Sequence, residues 1–349
     1  MINEQALREY ALKKFSNSRA IDIKRLGSGV HGTGFMIKVT PDNGDETLLV
    51  VKDLYPHGLG HDYPSDRASV FLMALDEYNN IPKHVRAIDV LGIDADGHIH
   101  SIGGNKEYYL LMEHVEGTDY FNDLESMKDK PSLTQSDKTK IETMVRYLVS
   151  IHSTKKEDKH LYWRKVRDTI GHGECLMGVF DIYPDGTIPY EEMAEIEKMC
   201  IDWRVKLKSR HHRLCQIHGD FHPGNIWFKG DNDFILLDRS RGPFGDAADD
   251  ITALTINYIF YSIMYNARFV GAYREAFEEF FSQYISLSKD SELLEVLALF
   301  YAFRGAVVCN PIFYPKLQPE RRAIILNFIK NILSDDRLDI QSINKYLEA

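Results

Sequence analysis

Cysteine is scarce in this chain, with four in 349 residues: Cys175, Cys200, Cys215 and Cys309. No two are spaced C-x-x-C, which excludes a zinc knuckle and a thioredoxin-like redox pair. A membrane-spanning run is also missing. The most apolar stretches, 251–265 and 293–309, are too short or are broken by Glu295 and Arg304. The first fifteen residues mix Glu4, Arg8, Glu9, Lys13 and Lys14 with apolar positions, an amphipathic helix and not a signal peptide. A reduced, cytoplasmic setting with no membrane partner is therefore expected. No basic cluster stands out, and 42 basic against 52 acidic residues give a formal charge of -10, so no nucleic-acid polymer is expected as a partner. There is no internal repeat and no low-complexity segment. At 44% hydrophobic and 27% charged residues, the composition is that of a folded protein.

What is present falls into two textures. Short β-rich runs at 21–26, 35–40 and 47–54 come first, with Asp42-Asn43-Gly44 as a hairpin signal between the last two. A helix is expected from Ser65 to Asn80, then two more strands near 86–94 and 107–114. After Gly117 the apolar spacing turns helical, as in Ile141, Val145, Leu148 and Ile151. A strand–loop–strand island at 215–238 interrupts the helices. The expected architecture is α+β: a small antiparallel β lobe with one helix over 1–115, five-stranded, and a larger helical lobe over 116–349, joined near 113–118. Within the second lobe lie a helical insertion at 154–214, the island at 217–238 and C-terminal helices at 250–345.

Two motifs carry chemistry. Gly27, Gly29 and Gly32 have the spacing G-x-G-x-x-G, and Phe35–Val39 after them is strand, where a dinucleotide fold would need a helix. A strand–glycine turn–strand hairpin can instead lay backbone N–H groups, Ser28 among them, over a triphosphate. Lys52, at the end of the apolar run 48–51, is then the cation for the phosphates. Asp66, Asp76 and Glu77 are its candidate carboxylate partners, and spacing does not choose among them. The long 53–64 loop, with His57, His61 and Tyr63, has no assigned role. The second motif is His218-Gly-Asp-Phe-His-Pro-Gly-Asn225 followed by Asp238. Asn225 and Asp238 offer the hard oxygen donors Mg2+ prefers, and Asp220 is left to accept a hydroxyl's proton. A zinc or iron hydrolase built on His218, Asp220 and His222 would leave the glycine hairpin and Lys52 without a role.

These residues, with Gly245-Asp-Ala-Ala-Asp-Asp250 and Leu110-Leu-Met-Glu-His-Val-Glu-Gly117, resemble the aminoglycoside phosphotransferase and choline-kinase-like family, which has a bilobal protein-kinase-like fold. The resemblance spans roughly residues 26–251. It implies a Mg2+-dependent kinase transferring the γ-phosphate of ATP or GTP to a hydroxyl of a small molecule, a metabolite or an aminoglycoside-like acceptor. It implies Asp220 as the base and Asn225 and Asp238 as the metal ligands. The purine would be read by the backbone of Glu113 and Val115, beside Met112. His218 would brace the loop, and Asp250 would bond loop or helix-end backbone. His222 would face the γ-phosphate or serve structure. The alternative is a nucleotide-binding module without transfer, although Asp220, Asn225, Asp238 and Lys52 are all present.

The chain departs from the family's pattern after Asp238, where Arg239-Ser-Arg241 stands in place of an aromatic and an acidic residue. Phe221, Arg239 and Arg241 are expected at the substrate's edge, with His222 beside them. Local charge outweighs net charge at distances beyond the screening length of about 8–10 Å. The two arginines therefore point to a neutral, zwitterionic or anionic acceptor in preference to a polyamine-like antibiotic.

Overall fold

The computed structural model describes residues 3–28, 32–56, 60–80, 85–104, 110, 112–239 and 241–349. The chain divides into two units, Met1–Met112 and Glu113–Ala349.

In the first unit, Asn3 caps helix α1 (Glu4–Lys14) by accepting from the N–H groups of Gln5 and Ala6. Strands β1 (Ser18–Ser28), β2 (Thr33–Pro41) and β3 (Thr47–Lys52) form an antiparallel meander. Burial alternates along β2, and Phe35, Ile37 and Val39 on its inner face meet Leu7, Ala11 and Ile21 in one core. Helix α2 (Pro64–Glu77) starts after Tyr63 rather than at Ser65, because Pro64 presets the first helical residue and Asp66 Oδ2 accepts from Tyr63 N–H at 2.7 Å. Strands β4 (Leu91–Ile93) and β5 (Ile99–Ser101) pair only with each other among the described residues.

Among the described residues, the expected five-stranded sheet is thus corrected to a three-stranded sheet and a separate two-stranded ribbon. The cause is local. Asp94 Oδ1 accepts from the N–H groups of Asp96 and His98, and Gly97 has φ +90°, so the chain folds back after β4. Half of the strand expected at 107–114 lies outside the described residues, and 110 and 112–114 are not in a strand.

The second unit is helical. It runs through β6 (Thr118–Asp119), α3 (Tyr120–Met127), α4 (Gln135–His152), α5 (Lys159–Gly171), α6 (Leu176–Asp181) and α7 (Tyr190–Leu207). Then come β7 (Cys215–Gln216), β8 (Ile226–Phe228), β9 (Phe234–Leu236), β10 (Phe244–Gly245), α8 (Ala247–Asn266) and α9 (Gly271–Ser288). Helices α10 (Leu297–Cys309), α11 (Pro319–Ser334) and α12 (Ile343–Tyr346) close the chain. Helix α8 is buried on all sides along most of its length, as a helix apolar all round must be, and packs against α9 and α10. The four cysteines are all free and buried in this unit. No helix among the described residues is long and apolar enough to cross a membrane. The expected α+β class, a small antiparallel β unit followed by a larger helical one, stands.

The insertion's aromatics anchor it to the unit. Tyr162 hydroxyl donates to Asp246 at 2.9 Å, Trp203 Nε1 to the Leu333 carbonyl at 2.8 Å and Tyr183 hydroxyl to the Ala306 carbonyl at 2.6 Å.

Gly32 has no room for a side chain. A Cβ there would lie 2.0 Å from the Asp53 carbonyl oxygen, while Thr33 and Asp53 exchange hydrogen bonds across the same approach. Gly32→Ala is expected to cost the first unit about 1–3 kcal/mol, as overpacking against backbone does. Urea unfolding followed by circular dichroism checks it; an unchanged midpoint would show that the approach can open at no cost.

Candidate active site

The second unit's island is built so that a sharp loop, 217–225, leads into the hairpin β8–β9. Gly219 takes φ +89°, a conformation a side chain resists, and turns the chain immediately before Asp220. Asp250, fully buried in the first turn of α8, accepts from the N–H groups of His218 at 2.8 Å and Gly219 at 2.7 Å. Its Oδ2 also meets His152 Nε2 at 3.1 Å. His218 Nδ1 accepts from Asp220 N–H at 3.2 Å, so its proton sits on Nε2. Both residues therefore hold loop backbone.

Asp220 is nearly buried and makes its main contact with an arginine that no motif includes. Arg304, from the apolar helix α10, donates through Nη1 to Asp220 Oδ1 at 2.5 Å. Its Nη2 donates to the Gly219 carbonyl at 3.0 Å and to Asp249 Oδ1 at 2.7 Å. Lys165 of α5 completes the set, with Nζ 2.9 Å from Asp249 Oδ2. Burial alone would push Asp220's carboxyl up, but Arg304, Arg241 and His222 outweigh it and hold it below the ordinary carboxylate range. Burial likewise raises Asp249, and Lys165 and Arg304 reverse this and bring it to about 2. Asp220 Oδ2 is not gripped: Arg241 Nη2 lies 3.6 Å away and His222 Nε2 4.0 Å. His222 Nδ1 accepts from Gly224 N–H at 3.1 Å, and burial keeps the ring's pKa below its usual value, with Asp220 opposing, so the ring is neutral at pH 7.

Asn225 and Asp238 meet at one end of the hairpin. Ile226 pairs with Leu236, and Leu237 N–H donates to the Asn225 carbonyl at 3.0 Å, so Asp238 lies one residue past the register. Asn225 Nδ2 donates to the Asp220 carbonyl at 3.0 Å, which leaves Oδ1 as the amide's free end. Asp238 has φ +51°, unusual for a residue with a Cβ, and its carboxylate has no hydrogen-bond or ion-pair partner among the described residues. Two hard oxygen donors, neither spent on protein, fit a divalent cation.

In the first unit, Gly27 pairs with Gly34 and Gly34 with Lys52, so the three stand in a row across β1, β2 and β3. Ser28 pairs with Thr33, while Gly29 and His57 lie outside the described residues. Met112 is exposed, and Met112, Glu113 and Val115 belong to neither helix nor strand.

Two expectations at the substrate's edge need correction. Phe221 is fully buried, stacked on Tyr147 and edge-on to His218 and Phe234, because the loop turns its ring into the hairpin's core. Arg239 spends Nε and Nη2 on the Ile217 and Pro243 carbonyls, so it ties loop backbone. Arg241 does reach the site. With Asp220, His222 and Arg304 it lines a cavity of about 450 Å³, bounded also by Glu174, Asn257, Tyr314 and the apolar Val179, Ile182, Val307 and Phe313. Burial, and then Asp220, raises the Tyr314 phenol to about 12, so it remains protonated. Arg304 and Asn257 stand in no motif, while Asp249 lies within the 245–250 motif and Lys165 within the insertion, neither with a role legible from sequence. The available signal was a lone arginine in the otherwise apolar 297–309.

Residues 23–282 match the model of the APH phosphotransferase enzyme family, 260 of 349 residues. The chain belongs to the phosphotransferase enzyme family. No curated protein sequence matches the phosphotransferase. Solved structures similar to it include an ethanolamine kinase of Plasmodium vivax, at 11% identity and TM-score 0.37, covering 99% of this chain and 89% of that one. Amicoumacin kinase in complex with AMP-PNP, Ca2+ and Ami is similar at 13% identity and TM-score 0.38, covering 98% of this chain and 100% of that one. The choline kinase LicA from Streptococcus pneumoniae shares 14% identity at TM-score 0.37, covering 94% of this chain and 99% of that one.

The cluster makes a pH prediction. Asp249's folded pKa of about 2 lies below its unfolded value, so its contribution to stability is full above about pH 4 and is lost as pH falls toward 2. Asp249→Asn, which leaves Arg304 and Lys165 facing a neutral amide, is expected to cost about 3–5 kcal/mol at pH 7 and less at pH 2–3. Urea unfolding at several pH values reads this, and a pH-independent difference would refute it.

Proposed function

We propose that this phosphotransferase moves the γ-phosphoryl group of ATP or GTP to the hydroxyl of a small molecule, with Asp220 as the residue that receives the hydroxyl's proton. One observation carries the reading. Arg304 fixes Asp220 through Oδ1 and leaves Oδ2 without a hydrogen bond among the described residues, on a residue that lines the cavity. A hydroxyl donating to Oδ2 has its lone pairs oriented by that bond, and orientation is the main thing phosphoryl transfer asks of a protein. The new bond forms between the acceptor oxygen and the γ-phosphorus as the bond to the nucleotide's bridging oxygen breaks. The hydroxyl's proton passes to Oδ2. Because Asp220's pKa is held low, it is a weak base, and it takes the proton late, once the oxygen has lost electron density to phosphorus. Asn225 Oδ1 and Asp238 would hold Mg2+, which when bound supplies positive charge to the phosphate oxygens. His222, neutral beside Asp220, can donate a hydrogen bond to a transferring oxygen.

In the first unit, the Gly27–Gly34–Lys52 row supports a nucleotide-phosphate role for the β1–β2 hairpin and Lys52, and the 112–115 segment is proposed to receive the purine. The presence of all of Asp220, Asn225, Asp238 and Lys52 supports transfer over a binding module without it. The four unpaired, buried thiols support a reducing, cytoplasmic setting.

Asp220→Asn is expected to lower turnover by two to four powers of ten while nucleotide still binds. Asp238→Ala should instead weaken nucleotide binding in the presence of Mg2+, with no difference from wild type in EDTA. Nucleotide consumption against a metabolite library and calorimetric nucleotide titration measure the two effects. Undiminished turnover in Asp220→Asn would overturn the assignment.

A further inference from the structure

The acceptor cavity contains a cation without a counterpart. Asp220 and Asp249 are matched by Arg304 and Lys165, two charges against two, all at 2.5–2.9 Å. Arg241 is left over. Its side chain is 20% exposed, and Nε and Nη1 are buried with no hydrogen-bond partner. Its nearest carboxylates are Asp220 Oδ2 at 3.6 Å and Glu174 Oε2 at 3.9 Å, the latter on a side chain 62% exposed to water. An ion pair with so exposed a partner is worth little, while a guanidinium withdrawn from water and left short of acceptors is costly. Its plane rests 5.4 Å from the Phe303 ring centre, which holds it in place without satisfying any N–H.

A second orphan lies on the same cavity wall. Asn257, 2% exposed, donates through Nδ2 to the Ala253 carbonyl of its own helix at 2.8 Å. That bond sets the amide's orientation and leaves Oδ1 buried without a donor. The same cavity has an aliphatic lining that includes Val179, Ile182 and Val307.

Building on the kinase reading above, we infer that the acceptor is a small hydroxy acid: its hydroxyl meets Asp220 Oδ2, its carboxylate pairs with Arg241, and its aliphatic body lies along the valines and Ile182. A further N–H or O–H on the acceptor supplies Asn257 Oδ1. A carboxylate presents two acceptor oxygens in the geometry a guanidinium matches, so the pairing selects for the acid as well as satisfying the charge. A cationic amino alcohol would bring its charge against Arg241 and gain nothing from it.

The rival source of the same anionic chemistry is the γ-phosphate of the nucleotide, and the test separates them. Glycerate, 3-hydroxybutyrate and homoserine are compared with their carboxamides, and with ethanolamine and choline. Two readouts are used: acceptor-stimulated nucleotide consumption with Mg2+, and thermal stabilisation of the protein by the acceptor alone. The acids are expected to act more strongly than their amides in both. Arg241→Gln should raise the half-saturating concentration of the best acid about tenfold or more and abolish the preference over its amide. Arg241→Lys, which keeps the charge, should retain part of the preference, so a fold defect in the glutamine variant is recognised. If Arg241→Gln weakens nucleotide binding to the same degree, the anion is the γ-phosphate and the inference falls. It falls too if an amino alcohol is the best acceptor, or if no acid is preferred to its amide by either readout. Failure of the kinase reading looks different: no acceptor stimulates nucleotide consumption, while acids still stabilise the protein.

Discussion

Arg304 is the point on which the helical unit's chemistry rests. One guanidinium, buried in α10, bonds the Asp220 carboxylate, the Gly219 carbonyl beside it and Asp249 at the start of α8. Buried ion pairs seldom add net stability, since desolvation consumes most of the Coulomb gain. They do impose geometry, because any displacement strands a charge away from water. Here the geometry is that of a loop residue, and loops are otherwise the part of a fold that drifts. Asp220 is thereby fixed by two helices as well as by its own loop.

The three acids of the 246–250 run divide that work. Asp246 caps α8 and pairs with Arg213, Asp249 joins Arg304 to Lys165, and Asp250 bonds the loop's backbone N–H groups. A helix N-terminus favours negative charge, so the same turn that tolerates three carboxylates can orient them to three partners. The insertion enters this scheme through Lys165 and Arg213, while Tyr183 and Trp203 fasten it to carbonyls of α10 and α11.

The island was legible because its polar motif is local: Asp220 and Asn225 stand five residues apart on one loop, and Asp238 follows the short hairpin that comes next. The two-texture division of the chain was legible from periodicity for the same local reason. Arg304 was not, since it lies 84 residues from Asp220 and its meaning depends on which helices pack together. Phe221 was misplaced because it stands between Asp220 and His222, which line the cavity, and composition does not sort a loop's inward residues from its outward ones. Arg239 and Arg241, two positions apart, look equivalent in sequence. Only the carbonyls of Ile217 and Pro243, brought beside Arg239 by the fold, separate a backbone tie from a cavity wall. The β4–β5 ribbon shows the opposite case: the 94–97 turn signal was local and readable, and the two distant strand expectations obscured it.

The buried thiols have a practical meaning of their own. Cys175, Cys200, Cys215 and Cys309 precede α6, sit within α7, open β7 and end α10, so they sample four separate elements of the helical unit. Burial pushes each thiol's pKa up, with Cys215 at about 12, and a protonated sulfur shielded from solvent does not react with alkylating reagents. Each thiol becomes labelled only when the element around it opens. Without any engineered probe, the pattern of modified cysteines would therefore record the order in which this unit comes apart, element by element.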